Sequence, residues 1–305
     1  NSSIPKFIQL IAGQPIIDYN LDTLNKIKLI NKIEIISSHN YTNYFKQRKI
    51  DTFVQSPVDG TGGALRQFYN SKKLNYDYFL IMLSDTPVFD NNLISNFIQK
   101  GIKSKSDISV LGQEIKNPFG YGRIIFEKHK FKKILEEKDC NKEEKKINLI
   151  NTGIFLISKN AIKNINQVKR NIKNKEFYIT DLIDISSKKN LNLNVYLNKS
   201  LTIKGVNTQA DLKQLDSLYQ NYLKEKLMNK GIRIIQPDTV YIENNVKIGK
   251  GVIIEPNVII KRGVRIKENS LIKSFSYLEG CSIGRNCTIG PFARVRPEAN
   301  LEDNV

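Results

Sequence analysis

Hydrophobic positions along the chain follow two different periods. Up to about residue 207, short apolar runs such as "KIEIIS", "TFVQ", "YFLIML", "ISVLG", "GRIIF", "NTGIFLI" and "NVYL" predict strands. Between them lie stretches with helical spacing, among them "IIDYNLDTLNKIKLI" and "LISNFIQKGI". Strands alternating with helices predict an α/β domain. From Val240 the period becomes six: VYIENN, VKIGKG, VIIEPN, VIIKRG, VRIKEN and SLIKSF, then a shorter SYLEG, then CSIGRN, CTIGPF, ARVRPE and ANLEDN. The third position carries Ile242, Ile248, Ile254, Ile260, Ile266, Ile272, Ile283, Ile289, Val295 and Leu301, and the first is small or β-branched.

An α-helix would spiral six-spaced aliphatics around its surface, because its own period is 3.6 residues. A parallel β-helix stacks them, each hexad forming one flat side and three hexads one coil. Gly and Asn at the hexad ends are expected at the corners, where positive φ is needed. Residues 208–229, with apolar residues at helical spacing and few turn formers, predict a helix joining the two halves.

Net charge is +18, but lysines are scattered and runs such as "HKFKKILEEKDCNKEEKK" interleave both signs, as a solvated face does. No recognition helix, aromatic RNA-binding pair or zinc finger accompanies the charge, so nucleic acid is not the expected partner. A basic balance instead favours anionic small molecules such as phosphates. Three cysteines without a CxxC pair, beside two histidines, argue against a disulfide framework or a thiolate zinc site. Cys281 and Cys287 occupy first positions of successive hexads and read as packing. No window approaches the roughly 18 consecutive apolar residues of a membrane span, and a soluble, cytoplasmic protein in a reducing compartment is expected.

Three segments could carry chemistry. "YFLIMLSDTP" reads as a buried parallel strand ending near Asp85, and open α/β sheets bind ligands beyond the carboxyl ends of their strands. A carboxylate there suits Mg²⁺, which takes one or two protein oxygens and keeps water and phosphates for the rest. An Asp that merely caps the following turn is the plainer reading. "FVQSPVDGTGGALRQFYN" runs from a strand through Gly60, Thr61, Gly62 and Gly63 into a helix, bringing backbone N–H groups close to a ligand, although it matches no standard phosphate-binding fingerprint. "NPFGYGRIIF" places Gly120 and Gly122 around Tyr121, leaving room for something flat; Glu136 and Asn151 follow in "ILEEKD" and "LINTGIF".

Taken in chain order, IPK, Q…DGTGGA, LSDTP, FGYGRI, EEKD, NTGIF, FYITD and GVN, then hexads containing TIGPFARVRP, make the chain resemble one family over essentially its whole length. That family is the bifunctional bacterial N-acetylglucosamine-1-phosphate uridyltransferase / glucosamine-1-phosphate acetyltransferase. The resemblance implies an α/β fold class: a Rossmann-like nucleotidyltransferase domain over 1–207, a linker helix over 208–230, and over 231–305 a left-handed parallel β-helix of hexapeptide repeats, the acetyltransferase domain. It also implies a preceding strand and glycine-rich loop ahead of Asn1–Ser3, which read as loop, and further β-helix coils beyond Val305. On that basis residues 1–305 alone are expected to be poorly stable and inactive in uridylyl transfer.

The roles that the resemblance implies are these. Lys6 contacts the nucleotide phosphates, and Gln55, Gly60 and Thr61 hold uracil. Asp85 and Asn207 coordinate Mg²⁺, with Lys6 and Asp85 as the catalytic pair. Gly122, Glu136 and Asn151 line the N-acetylglucosamine side, and Arg296 grips a sugar phosphate at the acetyl-transfer site. Where the family has Tyr-Gly before the metal aspartate, this chain has Leu83-Ser84, which alters the substrate contacts there. Implied substrates are UTP, N-acetylglucosamine-1-phosphate, glucosamine-1-phosphate and acetyl-CoA, in a homotrimer supplying precursor for peptidoglycan and lipopolysaccharide. The alternatives are another sugar-1-phosphate nucleotidyltransferase with a hexapeptide tail and a non-catalytic oligomerisation protein.

Overall fold

A computed structural model describes residues 4–72, 74–172, 175–199 and 203–305; Asn1–Ser3, expected as loop, lie outside the described residues. In chain order the elements are β1 (Leu10–Ile11), β2 (Gln14–Pro15), α1 (Ile16–Leu24), β3 (Ile35–Ser37), α2 (Thr42–Gln47), β4 (Thr52–Val54), α3 (Thr61–Ser71), β5 (Tyr78–Met82), α4 (Asn91–Lys103), β6 (Ile108–Glu114), β7 (Arg123–Glu127), β8 (Lys130–Leu135), β9 (Leu149–Ser158), α5 (Lys159–Ile162), α6 (Asp181–Lys188), β10 (Leu193–Leu197) and α7 (Gln209–Met228). Twelve two-residue strands follow, from Arg233–Ile234 to Asn300–Leu301. The chain divides into two compact units: the described residues up to Tyr19 with Gly205–Val305, and those within Asn20–Lys204.

In the Asn20–Lys204 unit a six-stranded sheet has the order β10-β6-β9-β7-β8, with β5 also on β9. β10 runs parallel to β6, whereas β9 is antiparallel to β5, β6 and β7. β9 alternates faces as a strand must. Phe155 and Ile157 pack with Leu65 of α3 and Leu182 and Ile183 of α6, while Ile154 and Leu156 pack with Ile94, Phe97 and Ile98 of α4. Helices therefore cover both faces, which explains why residues 154–157 of β9 read as a continuous apolar run rather than an alternating one.

One expectation is corrected here. "YFLIML" forms β5, but this strand is antiparallel to β9 and half-buried at all five positions rather than a buried parallel strand. An apolar run encodes burial, not the direction of the partner, and that partner arrives only after the β7–β8 hairpin. β3 and β4 pair in parallel as a separate two-stranded sheet.

In the other unit, the C-terminal strands form three parallel four-stranded ladders. Their inward positions stack as Ile234, Ile254, Ile272 and Ile289; Ile242, Ile260, Leu278 and Val295; and Ile248, Ile266, Ile283 and Leu301. This is the parallel β-helix expected from the hexads, consistent with the left-handed form that the resemblance implies, with one further side, Arg233–Ile234, ahead of the first repeat read from sequence. Leu278, in the short SYLEG unit, keeps the inward position. Cys281 and Cys287 are buried in the core among these aliphatics, as packing residues.

The N-terminal segment, expected within the first domain, makes its contacts with α7 and the first coil and groups with Gly205–Val305. The β1–β2 hairpin presents the Ala12 amide to Asp216 Oδ1 at 2.7 Å, and the Ala12 carbonyl accepts from Asn244 N at 2.8 Å. Tyr19 packs edge-on against Tyr219, ring centroids 5.0 Å apart. α7 is docked on the β-helix: Gln220 exchanges two hydrogen bonds with the Ile242 backbone, and the Lys224 ammonium donates to the carbonyls of Pro237 and Val240. The contacts of the β1–β2 hairpin and Tyr19 join residues 200 or more apart in sequence, beyond the reach of any local pattern.

Candidate functional site

Gln55 directly follows β4, and its amide N–H continues the ladder by donating to Ser37 O at 2.8 Å. Its side chain is 8% exposed and turns toward the loop that starts α3. Nε2 donates to Asp59 Oδ1 at 3.0 Å and to Gly60 O at 3.2 Å. Gly60 sits ahead of α3 with φ +97°, and a side chain there would begin 2.5 Å from Phe177 O. Thr61 Oγ1 accepts from Ile179 N at 3.2 Å, which leaves its hydroxyl proton to donate elsewhere. The structure thus brings Gln55, Gly60 and Thr61 together. The helix start is less open to an anion than its glycines imply, because Gly62 N already donates to Phe177 O at 2.8 Å.

Asp85 lies in the turn after β5. Thr86 Oγ1 donates to its Oδ1 at 3.3 Å, and Thr86 N donates to Leu83 O at the same distance. Leu83 is half-buried and packs against Gly153, while Ser84 is exposed. The turn is held from α1: Asn20 Nδ2 donates to Thr86 O at 3.1 Å, its Oδ1 accepts from Val88 N at 2.9 Å, and Thr23 Oγ1 donates to Val88 O at 2.9 Å. Nothing in the sequence marked Asn20 and Thr23 as supports.

Gly122, Glu136 and Asn151 are also brought together. Asn151 N donates to Gly122 O at 2.9 Å, and its Oδ1 accepts from Gly153 N at 2.9 Å. A Cβ on Gly122 would stand 3.5 Å from Glu136 Oε2. Glu136 Oε1 accepts from Thr180 Oγ1 at 2.9 Å. Burial raises the Glu136 carboxyl above its ordinary range, with Asp139 adding to the rise and the Thr180 hydrogen bond opposing it. The neighbouring Asp181 is pushed up to about 6, chiefly by burial and then by the charges of Glu136, Asp184 and Asp139. The FGYG loop is pinned by the buried Arg123, whose Nη2 donates to Glu137 Oε2 at 2.6 Å, while that oxygen also accepts from Gly120 N at 3.2 Å.

Lys6, Asn207 and Arg296 belong to the other unit. Lys6 Nζ donates to Asn207 Oδ1 at 2.7 Å. Asn207 immediately precedes the α7 capping box, in which Thr208 Oγ1 accepts from Asp211 N and Asp211 Oδ2 accepts from the backbone N–H of Thr208 and of Asn207. Arg296 is exposed at the corner between Arg294–Val295 and Asn300–Leu301. Among the described residues no group of three His, Cys, Asp or Glu side chains stands together to hold a metal, and no helix is long and apolar enough to cross a membrane. A carboxylate at Asp85 and an amide oxygen at Asn207 are hard oxygen donors of the kind Mg²⁺ accepts.

Sequence reading missed Thr180, Asp181, Asp59, Arg123 and Glu137 as members of these clusters. The first two stand inside "FYITD" and Asp59 inside "DGTGGA", so the segments were visible but not which side chain does what.

Residues 1–223 match the nucleotidyl transferase family, and residues 230–305 match the GMPPB C-terminal domain. Relatives described as bifunctional protein GlmU include those of Thermosipho melanesiensis, 34% identical over 256 residues, Thermosipho africanus, 32% over 260 residues, and Clostridium botulinum, 31% over 258 residues. Each alignment covers 83% of this chain, but only 55 or 56% of the relative, so the chain spans about half the length of these curated relatives. Among solved structures, a putative glucose-1-phosphate thymidylyltransferase of Bacillus anthracis matches with a TM-score of 0.58 at 20% identity, over 70% of this chain and 85% of that one, a likeness of fold.

Proposed function

Because the chain belongs to the nucleotidyl transferase family, we propose that it transfers a uridylyl group from UTP to N-acetylglucosamine-1-phosphate, releasing pyrophosphate. The observation that carries this reading is the Gln55–Gly60–Thr61 cradle, whose polar groups complement the edge of a pyrimidine that has an N–H between two carbonyls. What favours the N-acetylglucosamine product over other sugars is the resemblance of the chain's motifs, taken in order, to the uridyltransferase / acetyltransferase family.

A phosphate oxygen of the sugar phosphate attacks the α-phosphorus of UTP in line; the bond to the β-phosphate oxygen breaks and pyrophosphate leaves with its electron pair. Two polyanions must meet, so the barrier is largely electrostatic. Lys6 offers a positive charge to the phosphates. Gly122, Glu136 and Asn151 orient the sugar, and Leu83 and Ser84 border the substrate next to Asp85. On this reading Asp85 and Asn207 would hold Mg²⁺, which would offset phosphate charge. No covalent nucleophile is needed. A second activity, implied by the resemblance to the bifunctional family, is acetyl transfer from acetyl-CoA to glucosamine-1-phosphate; it would use Arg296 to grip the sugar phosphate, with the β-helix assembling a homotrimer.

The test is pyrophosphate release by the full-length protein with N-acetylglucosamine-1-phosphate and each nucleoside triphosphate in turn. Turnover is expected with UTP, to vanish with EDTA and to return with Mg²⁺, and Asp85→Ala is expected to abolish it. Equal turnover with ATP would overturn the uridylyl assignment. A thymidylyl reading has one observation in its favour, since thymine presents the same hydrogen-bonding edge to the cradle; dTTP therefore belongs in the same comparison.

A further inference from the structure

Asp59 has no role in the reaction as proposed, yet it is 7% exposed and sits at the centre of the loop between β4 and α3. Its Oδ1 accepts from Gln55 Nε2 at 3.0 Å and from Gln67 Nε2 at 3.2 Å. Arg66 Nη2 lies 3.7 Å from its Oδ2. Gly63 makes the room, since a Cβ at that position would fall well inside contact distance of Oδ1. The carboxylate is therefore wedged against the first turn of α3, with Oδ1 accepting from two side-chain amides and Oδ2 beside Arg66.

From this geometry we infer that Asp59 is the positioning residue that sets which pyrimidine the cradle accepts, by fixing the polarity of the Gln55 amide. An ionised carboxylate can only accept hydrogen bonds, so the NH₂ end of Gln55 must face it. A half-turn of the amide would bring its oxygen against the carboxylate and forfeit the bond to Gly60 O as well. Oε1 is consequently the end left over, and it accepts no hydrogen bond among the described residues. An acceptor fixed at that point pairs with the N3–H of uracil or thymine and opposes the N3 lone pair of cytosine. The groups around it agree: Gly60 N donates to nothing among the described residues, and the Thr61 hydroxyl proton is available, so both can serve the flanking carbonyls of uracil. A site built to pair with an N–H rejects the analogue that lacks it, because its own polar group is left facing a lone pair.

This inference rests on the uridine-nucleotide reading, and the experiment separates the two. Dissociation constants for UTP, dTTP and CTP are measured by calorimetry on the full-length protein and on Asp59→Asn and Gly63→Ala. The unaltered protein is expected to prefer UTP and dTTP to CTP; if it binds no uridine nucleotide, the functional reading itself falls, and the inference with it. Asp59→Asn keeps the shape but can donate to Gln55 Oε1, so the amide can turn over. Gly63→Ala leaves the carboxylate chemistry intact and displaces it. Both variants are expected to lower the UTP-to-CTP preference about tenfold or more, the scale of one mispaired buried hydrogen bond, with dTTP moving in parallel with UTP. A merely structural role would weaken all three nucleotides alike. An unchanged UTP-to-CTP ratio in the folded variants, whatever their absolute affinity, overturns the inference, and should Asp59→Asn fail to fold, the ratio in Gly63→Ala decides.

Discussion

At the residue scale, carboxylates held above their usual range gather where the sugar is proposed to bind. Asp181 at about 6 is the clearest case, raised by burial first and by Glu136, Asp184 and Asp139 after it. A carboxyl whose folded value exceeds its unfolded value of about 3.9 contributes stability at low pH and loses it as pH rises through the folded value. Asp181→Asn removes that burden. The variant is expected to melt above the parent protein at pH 7.5, with the gap shrinking by pH 5, in thermal scans of both proteins at the two values. A gap independent of pH would show that Asp181 is not strained by its ionisation. The sequence offered Glu136 and Asn151 as candidates only through the order of short phrases along the chain, each phrase being ambiguous by itself. It could not show that Thr180, from a segment 44 residues away, would supply the hydroxyl that Glu136 binds, because such a meeting is made by tertiary packing.

At the element scale, legibility followed periodicity. The hexad ladder was readable residue by residue because one aliphatic per side has to stack, and Asn245, Asn257, Asn269, Asn286 and Asn304 do take positive φ at the corners. Phe275 and Phe292 also take positive φ, at 62° and 58°, where no β-helix pattern calls for an aromatic. Their rings stack with centroids 5.1 Å apart, so these two corners pack on each other. α7 was expected from its apolar spacing, and the structure adds what fixes its start: Thr208 and Asp211 form a capping box that satisfies two helix-end amides. Because Asn207 N bonds to the same Asp211 carboxylate, the cap also steadies the residue proposed as a metal ligand. Thr208→Ala is expected to lower stability by about 1 kcal/mol and to weaken Mg²⁺ binding. Denaturant titration alongside a Mg²⁺ titration checks both, and loss of stability with unaltered Mg²⁺ affinity would confine the cap to a folding role.

For the whole molecule, the change of period near Gly231 predicted where two kinds of structure meet, but not how the chain partitions. Residues up to Tyr19 look like the opening of the α/β domain, yet the β1–β2 hairpin bonds to Asp216 and Asn244, and the unit containing it runs on from Gly205. Each unit has its own apolar core, one lined by Ile242, Ile260 and Leu278 and the other built around Phe155, Ile157 and Leu182. Separate cores license separate cooperativity, because all-or-none melting holds for single domains and fails when a chain contains more than one. Truncating a buried aliphatic or aromatic to alanine costs about 2–5 kcal/mol, enough to move the melting of the unit that contains it by several degrees. Ile260→Ala is therefore expected to lower one calorimetric transition and leave the other in place, and Phe155→Ala to do the reverse. A single transition displaced equally by both substitutions would mean that the cores unfold as one, and that hairpin, helix and β-helix draw their stability from the sheet domain as well as from one another.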